Sequence, residues 1–273
     1  MSLPLSPQVF AIISRLIEDG TGLHYDPRDA DLLADRLSTR ATELELDSLL
    51  DYYYYLRYGA DGPRELDALV ELLVVNETYF FREAEQLRAL VDLLLPAIVA
   101  KRGRARVWCA ACSTGEEPLT LTLLLRERGL LPQVDLVATD ISTRVLAKAA
   151  AGVYGGRSLR AVDENNRRQY FEERGDGVVR VPEELVRAVR WQKLNLLDAA
   201  AVAALGTFDV ILCRNALIYF ADETVVRLVH RFAQSLLPSG LLLVGASESL
   251  LRFATPFDCE EHGGAFFYRK AGA

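Results

Sequence analysis

A chain of 273 residues, 51% hydrophobic, with 31 Lys plus Arg against 38 Asp plus Glu, is long enough for one large domain or a large and a small one and can bury a core. The net charge of −7 works against binding bulk nucleic acid by phosphate neutralisation, four cysteines are too few for a disulfide framework, and no apolar run approaches the roughly 20 residues of a membrane span. With no basic region ahead of an apolar one at Met1-Ser2-Leu3-Pro4, the expected setting is the reducing cytoplasm.

Ser6-Pro7 is a helix N-cap followed by Pro at the first helical position, and Val9, Phe10, Ile12, Ile13, Leu16 and Ile17 then recur at helical spacing up to Gly20. Asp26-Pro27 repeats the start signal ahead of a stripe of Leu32, Leu33 and Leu37. Asp47 opens a third helix through the run Tyr52 to Tyr55, and Pro63 begins a fourth with Leu66, Leu69, Val70 and Leu73 inward. Residues 1–75 are therefore predicted to form an all-helical domain, with 76–90 a junction and 91–273 a second domain.

From about residue 105 the texture changes to short apolar strands: Arg106 to Ala111, Asp135 to Thr139, Phe208 to Cys213 and Leu241 to Gly245. Helices are expected after Glu116, Ser142, Asp198 and Asp222. That alternation implies an α/β fold with a mostly parallel sheet, to which a last strand, Ala265 to Tyr268, adds antiparallel because no crossover helix precedes it. Between residues 152 and 190 the alternation breaks, and Gly175-Asp176-Gly177 before Val178-Val179-Arg180-Val181 predicts an inserted hairpin.

In such a sheet the ligand sits beyond the carboxyl ends of the strands. The residues there are Ala111-Cys112-Ser113-Thr114-Gly115-Glu116-Glu117, then Asp140, 25 residues beyond Gly115 and suited to a ribose diol, then Arg214-Asn215 with Tyr219 one turn on. An adenosine-containing cofactor fits this set. A dinucleotide does not, because G-x-G-x-x-G is absent and carboxylates stand where a pyrophosphate would need bare N–H groups, whereas the ammonium and sulfonium of S-adenosylmethionine would welcome them. Cys109 and Cys112 read as small packing residues, since a strand continuing through both would point them to opposite faces and no second C-x-x-C or H-x-x-x-H accompanies them. No metal is expected.

The string Asn76-Glu77-Thr78-Tyr79-Phe80-Phe81-Arg82-Glu83, together with Val107-Trp108, Ser113-Thr114-Gly115-Glu116-Glu117-Pro118, Ala138-Thr139-Asp140-Ile141, Phe208 to Phe220 and Ser247-Glu248, resembles the chemotaxis receptor methyltransferases, the CheR family, nearly end to end. The resemblance implies a Rossmann-like S-adenosylmethionine-dependent methyltransferase domain behind a small all-helical one. The implied activity is methyl transfer to glutamate side chains on the cytoplasmic helices of methyl-accepting chemoreceptors, giving glutamyl methyl esters and S-adenosylhomocysteine. Carried over by position, it implies cofactor binding by Asn76, Thr78, Arg82, Glu117, Asp140, Asn195, Leu196, Arg214 and Asn215. Arg82 and Tyr219 are the catalytic candidates, with Arg82 holding either the incoming carboxylate or that of the cofactor.

Receptor binding is expected of Arg36, Arg40 and Arg180. Because the loop Glu172 to Gly177 looks about three residues shorter than in family members that tether a receptor C-terminal peptide, docking without that pentapeptide tether is expected, by a monomer that neither binds nucleic acid nor inserts into a membrane. Two rivals remain: a small-molecule O-methyltransferase, which would not need the helical domain, and a non-catalytic cofactor-binding module that docks to receptors. The segment Arg214-Asn215-Ala216-Leu217 is not the Asn/Asp-Pro-Pro-aromatic motif of amino-methylating nucleic-acid enzymes.

Overall fold

The computed structural model describes residues 2–272, which divide into two compact units, residues 1–75 with 219–224 and residues 76–218 with 225–273. The first contains four helices: α1 (Pro7–Thr21), α2 (Ala30–Glu43), α3 (Leu49–Tyr58) and α4 (Gly62–Leu73). The start of α1 follows from its sequence, because the Ser6 hydroxyl accepts the Val9 N–H at 3.3 Å and Gly22 closes the helix in the left-handed conformation. Ile13, Ile17, Leu33, Leu37, Tyr52 and Leu69 are fully buried between the four helices.

One expected inward position is corrected, since Leu32 is 50% exposed; Leu66 packs half-buried against the core as expected, while its neighbour Glu65 is also turned inward. Glu65 can do so because Arg40 clamps its carboxylate at 2.8 and 2.6 Å and the Tyr52 hydroxyl donates to it at 2.7 Å. Burial first, and then the Glu65 carboxylate beside it, push the Tyr52 phenol well above its usual range.

The second unit begins with α5 (Ala84–Ala89), a π-turn over Leu90–Leu94 and α6 (Leu95–Arg102), a helical stretch that the sequence reading left unassigned. It continues through β1 (Ala105–Ala110), α7 (Glu116–Glu127), β2 (Val134–Asp140), α8 (Thr143–Ala151), β3 (Val153–Tyr154), α9 (Glu164–Tyr170), β4 (Glu172–Gly175), β5 (Val178–Arg180), α10 (Glu183–Arg187) and β6 (Val189–Lys193). It ends with α11 (Ala199–Ala204), β7 (Phe208–Cys213), α12 (Asp222–Ser235), β8 (Leu236–Val244), β9 (Phe257–His262) and β10 (Ala265–Lys270).

The main sheet has the order β6-β2-β1-β7-β8-β10-β9, parallel from β6 to β8, with β10 antiparallel to β8 and β9 antiparallel to β10. The antiparallel addition of the last strand is thus as expected, while β6 and β9 are strands that the sequence reading did not identify. A separate sheet, β3-β5-β4, forms the inserted hairpin subdomain. Strand order reverses between β1 and β7, which makes the carboxyl ends of these strands the topological switch point. Trp108 on β1 fixes the core beneath it, packed on Phe208 and Phe232 with its indole N–H donated to Thr139 at 2.9 Å. No helix among the described residues is long and apolar enough to cross a membrane.

The Arg40 clamp carries a testable stability claim. Removing one member of such a pair strands the other charge, so Arg40→Ala should destabilise the protein by about 2–3 kcal/mol, at the low end of the buried-pair range because the guanidinium is partly wet. Urea denaturation against the wild type reads this directly, and a loss under about 0.5 kcal/mol would make the pair an ordinary surface one.

Candidate active site

Beyond β1 the chain turns on residues with positive φ: Ala111 (54°), Ser113 (49°) and Gly115 (90°). Two of them are not glycine, a conformation that costs on the order of 1–3 kcal/mol each and collects at functional sites. At position 115 glycine is needed twice over, since a Cβ would lie 2.6 Å from that of Ala149. The turn also alters the premise of the cysteine reading: β1 ends at Ala110, so Cys112 lies past the strand. Both cysteines are nonetheless buried in the core, and burial pushes their thiols up. The described residues contain no cluster of His, Cys, Asp or Glu able to hold a metal ion.

Asp140, the last residue of β2, is buried, and its two carboxylate oxygens accept the N–H groups of Ser113 at 2.8 Å and Ser142 at 3.0 Å. These bonds aim the carboxylate along the strand ends. The adjacent strand β6 delivers Asn195 and Leu196 beside it, because the Leu194 N–H bonds the Asp140 carbonyl at 2.8 Å and the Asn195 side chain accepts the Leu197 N–H at 2.9 Å. The structure therefore brings Asp140, Asn195 and Leu196 together.

The second group centres on Arg214, which follows β7 with its side chain 1% exposed. Its guanidinium donates to Gln86 Oε1 (2.7 Å), Glu117 Oε2 (2.7 Å), Glu83 Oε2 (3.1 Å) and the Arg82 carbonyl (3.0 Å). Asn215, at φ 58°, donates through Nδ2 to Glu83 Oε1 at 3.1 Å, and the Ala246 N–H completes the set around Glu83. Glu248 accepts the N–H groups of Asn215 (2.6 Å), Leu217 (2.7 Å) and Gly245 (2.7 Å), pinning the loop after β7 to the loop after β8. Gly245 sits so close that a Cβ there would come within 2.5 Å of the Asn215 amide.

These environments push the two carboxylates on Arg214 in opposite directions. Burial opposes ionisation of Glu83, but Arg214, Asn215 and the Ala246 N–H outweigh it and hold the carboxyl below its usual range. For Glu117 burial wins over the attraction of Arg214, with Glu83 and Glu248 adding repulsion, and its carboxyl sits above the usual range. Burial would likewise lower Arg214, and Glu117 and Glu83 more than offset that. One guanidinium thus pairs with two carboxylates, Glu83 and Glu117, with Glu248 close enough to add repulsion at Glu117, an environment that favours a further cation. The donor set fits a ligand that brings an ammonium and a sulfonium, with a ribose for Asp140.

The remaining candidates are dispersed. Asn76 and Thr78 lie half-buried on the extended segment leading to Arg82. Arg82 donates to the Glu77 carbonyl at 2.8 Å, with its guanidinium 5.7 Å from the centre of the Tyr79 ring. Tyr219 belongs to the helical unit, where its carbonyl accepts the His24 N–H at 2.9 Å. Arg180 lies in β5, the central strand of the small sheet. The structure commits Arg36 and Arg40 to their own unit: Arg36 donates to the Leu73 carbonyl at 2.6 Å, and Arg40 holds Glu65 and Glu43. Both side chains thus serve groups within this unit, the last carbonyl of α4 and the buried carboxylate of Glu65, while remaining partly exposed.

Sequence reasoning missed Glu83, Gln86 and Glu248 as site residues. Glu83 and Glu248 both end strings that carry the family resemblance, a usable signal, whereas Gln86 reaches Arg214 across 128 residues with no local motif. A groove of about 800 Å³ opens beside Glu83 and Gln86 toward Val244, Ala246 and Phe266, away from Asp140.

Residues 8–74 match the family model described as CheR methyltransferase, all-alpha domain, and residues 76–264 that described as CheR methyltransferase, SAM binding domain. The chain is 40% identical over 242 residues to Chemotaxis protein methyltransferase 2 of Vibrio cholerae, covering 87% of this chain and 84% of that protein. It is 36% identical to the Chemotaxis protein methyltransferase of Vibrio parahaemolyticus, covering 94% of each, and 36% identical to that of Escherichia coli K12, covering 90% of this chain and 86% of that one. With both parts of the chain matched and the strand-end donor set suited to the cofactor, the chain belongs to the CheR family of S-adenosylmethionine-dependent methyltransferases of chemotaxis.

Proposed function

We propose that this enzyme, working in the cytoplasm as a monomer, methylates glutamate side chains on the cytoplasmic helices of chemoreceptors. The observation that carries the reading is the buried Arg214 guanidinium, paired with Glu83 and Glu117 at the switch point of a chain with the family's two domains. When bound, S-adenosylmethionine supplies an electrophilic methyl group and is converted to S-adenosylhomocysteine.

In this reading Asp140 accepts from the ribose hydroxyls, Asn195 and Leu196 border the adenine, Glu117 meets the ammonium, and Asn76, Thr78, Arg214 and Asn215 shape the remainder. A glutamate with an ordinary pKa near 4.3 is already ionised at neutral pH, so no general base is required. The protein's work is placement. Arg82, whose carbonyl accepts from Arg214, holds the incoming carboxylate, and Tyr219 donates beside the transferred group. The small-molecule rival leaves the match of residues 8–74 to an all-alpha domain without a purpose. The non-catalytic rival leaves the retained Arg82 and Arg214 without one.

Docking is proposed to proceed without the C-terminal pentapeptide tether. Supporting this, the hairpin's edge strand in the small sheet is β4, four residues long, fully exposed and broken by a register shift between Glu173 and Gly175, and the opposite edge, β3, has only two residues. The side chains of β4 are charged and engaged locally, Glu173 with Arg167 and Arg174 with Glu172. Such an edge discourages strand addition.

Incubation with labelled cofactor and receptor-bearing membranes should place base-labile label on the receptor. Arg82→Lys keeps the charge but loses the planar fork, so turnover at saturating cofactor should fall about 10- to 100-fold, the rate equivalent of losing a charged hydrogen bond. A normal turnover with only weaker cofactor binding would make Arg82 a cofactor residue alone.

Cofactor affinity should depend on pH through Glu117. Its carboxyl is raised, so the charged form prevails above that raised value and is lost as pH falls through it, at a higher pH than for an ordinary glutamate. Calorimetric affinity for S-adenosylhomocysteine should be level at neutral pH and weaken on acidification, while Glu117→Gln should bind more weakly with the pH dependence flattened. An unaltered profile in the variant would remove Glu117 from the site.

A receptor C-terminal pentapeptide titrated into the protein should give no measurable heat, and tail-truncated receptors should be methylated as fast as intact ones. Micromolar peptide binding would overturn docking without a tether.

A further inference from the structure

Four arginines follow the second βα unit, and the structure separates their roles. Arg167 forms a bidentate pair with Glu173 at 2.5 and 2.9 Å, and Arg168 pairs with Glu164 at 3.2 Å. Arg160 lies over the Tyr79 ring, 3.8 Å from its centre, and bonds Glu77 at 2.6 Å. Arg157 is exposed and makes no ion pair among the described residues. Residues Gly156–Leu159 form a 3-10 turn, in which side chains three apart eclipse, so Arg157 and Arg160 project from one edge.

The same ring carries Arg82 on its other contact, 5.7 Å from the centre, and the turn is fastened to this segment by the Phe80 N–H on the Ser158 carbonyl at 2.9 Å. Arg160 and Arg82 thus meet at Tyr79, with Glu77 as the carboxylate paired to Arg160, and the exposed Arg157, three residues before Arg160, extends this cationic ridge along the turn. In a chain of net charge −7 this is a local reversal of sign. The helical unit has no equivalent on α2, where Arg36 and Arg40 are held by Leu73, Glu43 and Glu65.

We propose that the ridge is the landing surface for the substrate: an acidic helical segment that lays one row of carboxylates along Arg157 and Arg160 and presents the next to Arg82. The proposal rests on the methyl-transfer reading above. Carboxylates three and four residues apart on a helix lie about 5–6 Å from one another at Cβ, a spacing commensurate with the rise of about 6 Å over three residues of a 3-10 turn that separates Arg157 from Arg160. Exposed ion pairs contribute little affinity singly, so the ridge acts through encounter and register, and its signature is a salt-dependent KM.

The test uses the full chain with receptor-bearing membranes and labelled cofactor. Arg157→Glu should raise the KM for receptor about three- to tenfold and reduce its salt dependence, the change falling on KM more than on kcat. Calorimetric affinity for S-adenosylhomocysteine and the Tm should match wild type, which excludes misfolding. Arg160→Lys, which keeps charge but loses the planar stack, should lie between wild type and Arg157→Glu. Base-labile receptor label by wild type together with an unchanged KM and salt dependence in Arg157→Glu would overturn the ridge alone. Absence of label by wild type would overturn the methyl-transfer reading and the ridge with it. If Arg157→Glu instead lost binding to anionic vesicles of phosphatidylglycerol while its receptor KM stayed unchanged, the ridge would be a lipid contact and the proposal would fail.

Discussion

The buried guanidinium of Arg214 is the constraint on which the catalytic unit's architecture turns. Placing a charge at 1% exposure costs several kcal/mol unless its hydrogen-bonding capacity is filled, and Arg214 fills it from separate parts of the chain: Arg82, Glu83 and Gln86 before the sheet, and Glu117 at the start of α7. Each partner is thereby held relative to the end of β7. Glu83 then passes the constraint on, accepting from Asn215 and from the Ala246 N–H, while Glu248 binds the same two loops from beneath. The carboxylates that neutralise Arg214 outnumber it, so a rigid positive centre ends in an acid-rich surround, and the division of pKa direction between Glu83 and Glu117 follows from which has more donors.

Charge is used differently in the helical unit. There Arg40, Glu65 and Tyr52 make a polar node inside an otherwise apolar bundle, and Arg36 caps the carbonyl end of α4. Arginines on one face of a helix look alike in a sequence whether they serve solvent, a partner or a buried carboxylate. What decides between these is a residue 25 positions away, Glu65, which is buried beside the apolar stripe of α4. In the second unit Arg167 is taken up by Glu173 on the next element and Arg168 by Glu164 on its own helix, whereas Arg160 pairs with Glu77 and stacks on Tyr79 with its side chain still 38% exposed.

Much of the fold was legible because its signals are local. Ser6 and Pro7 mark the start of α1, which runs past the expected Gly20 to close at Gly22, and the apolar runs Arg106 to Ala111, Asp135 to Thr139 and Phe208 to Cys213 mark strands to within a residue at their ends, while the lack of a crossover helix made the last one antiparallel. The stretch 84–102 escaped because it passes through a π-turn, which breaks the helical period, and β6 and β9 because Val-Arg-Trp-Gln-Lys and Phe-Asp-Cys-Glu-Glu-His are too polar to resemble buried strands. Within the candidate site, residues at strand ends could be named from the sheet rule. Gln86 and the hub role of Glu83 could not, because their partners lie 128 and 131 residues downstream and only the folded sheet brings them together.

The inserted small sheet is tied to the loop after β1 whatever it binds. The Tyr154 hydroxyl on β3 donates to the Thr114 carbonyl at 2.7 Å, and the buried Glu116 carboxylate accepts from Thr114 at 2.6 Å on one oxygen and from Ser158 at 2.7 Å on the other. Thr120 extends the path, accepting the Phe81 N–H at 3.1 Å while donating to the Glu116 carbonyl at 2.6 Å. A buried carboxylate met only by hydroxyls is costly to disturb, since losing either donor leaves part of it unsatisfied. The subdomain therefore braces the strained turn at Ala111, Ser113 and Gly115 and the segment that carries Arg82, which gives it a structural purpose independent of a peptide on its edge. The hairpin loop takes no part in this brace, because every bond in it comes from residues before the hairpin.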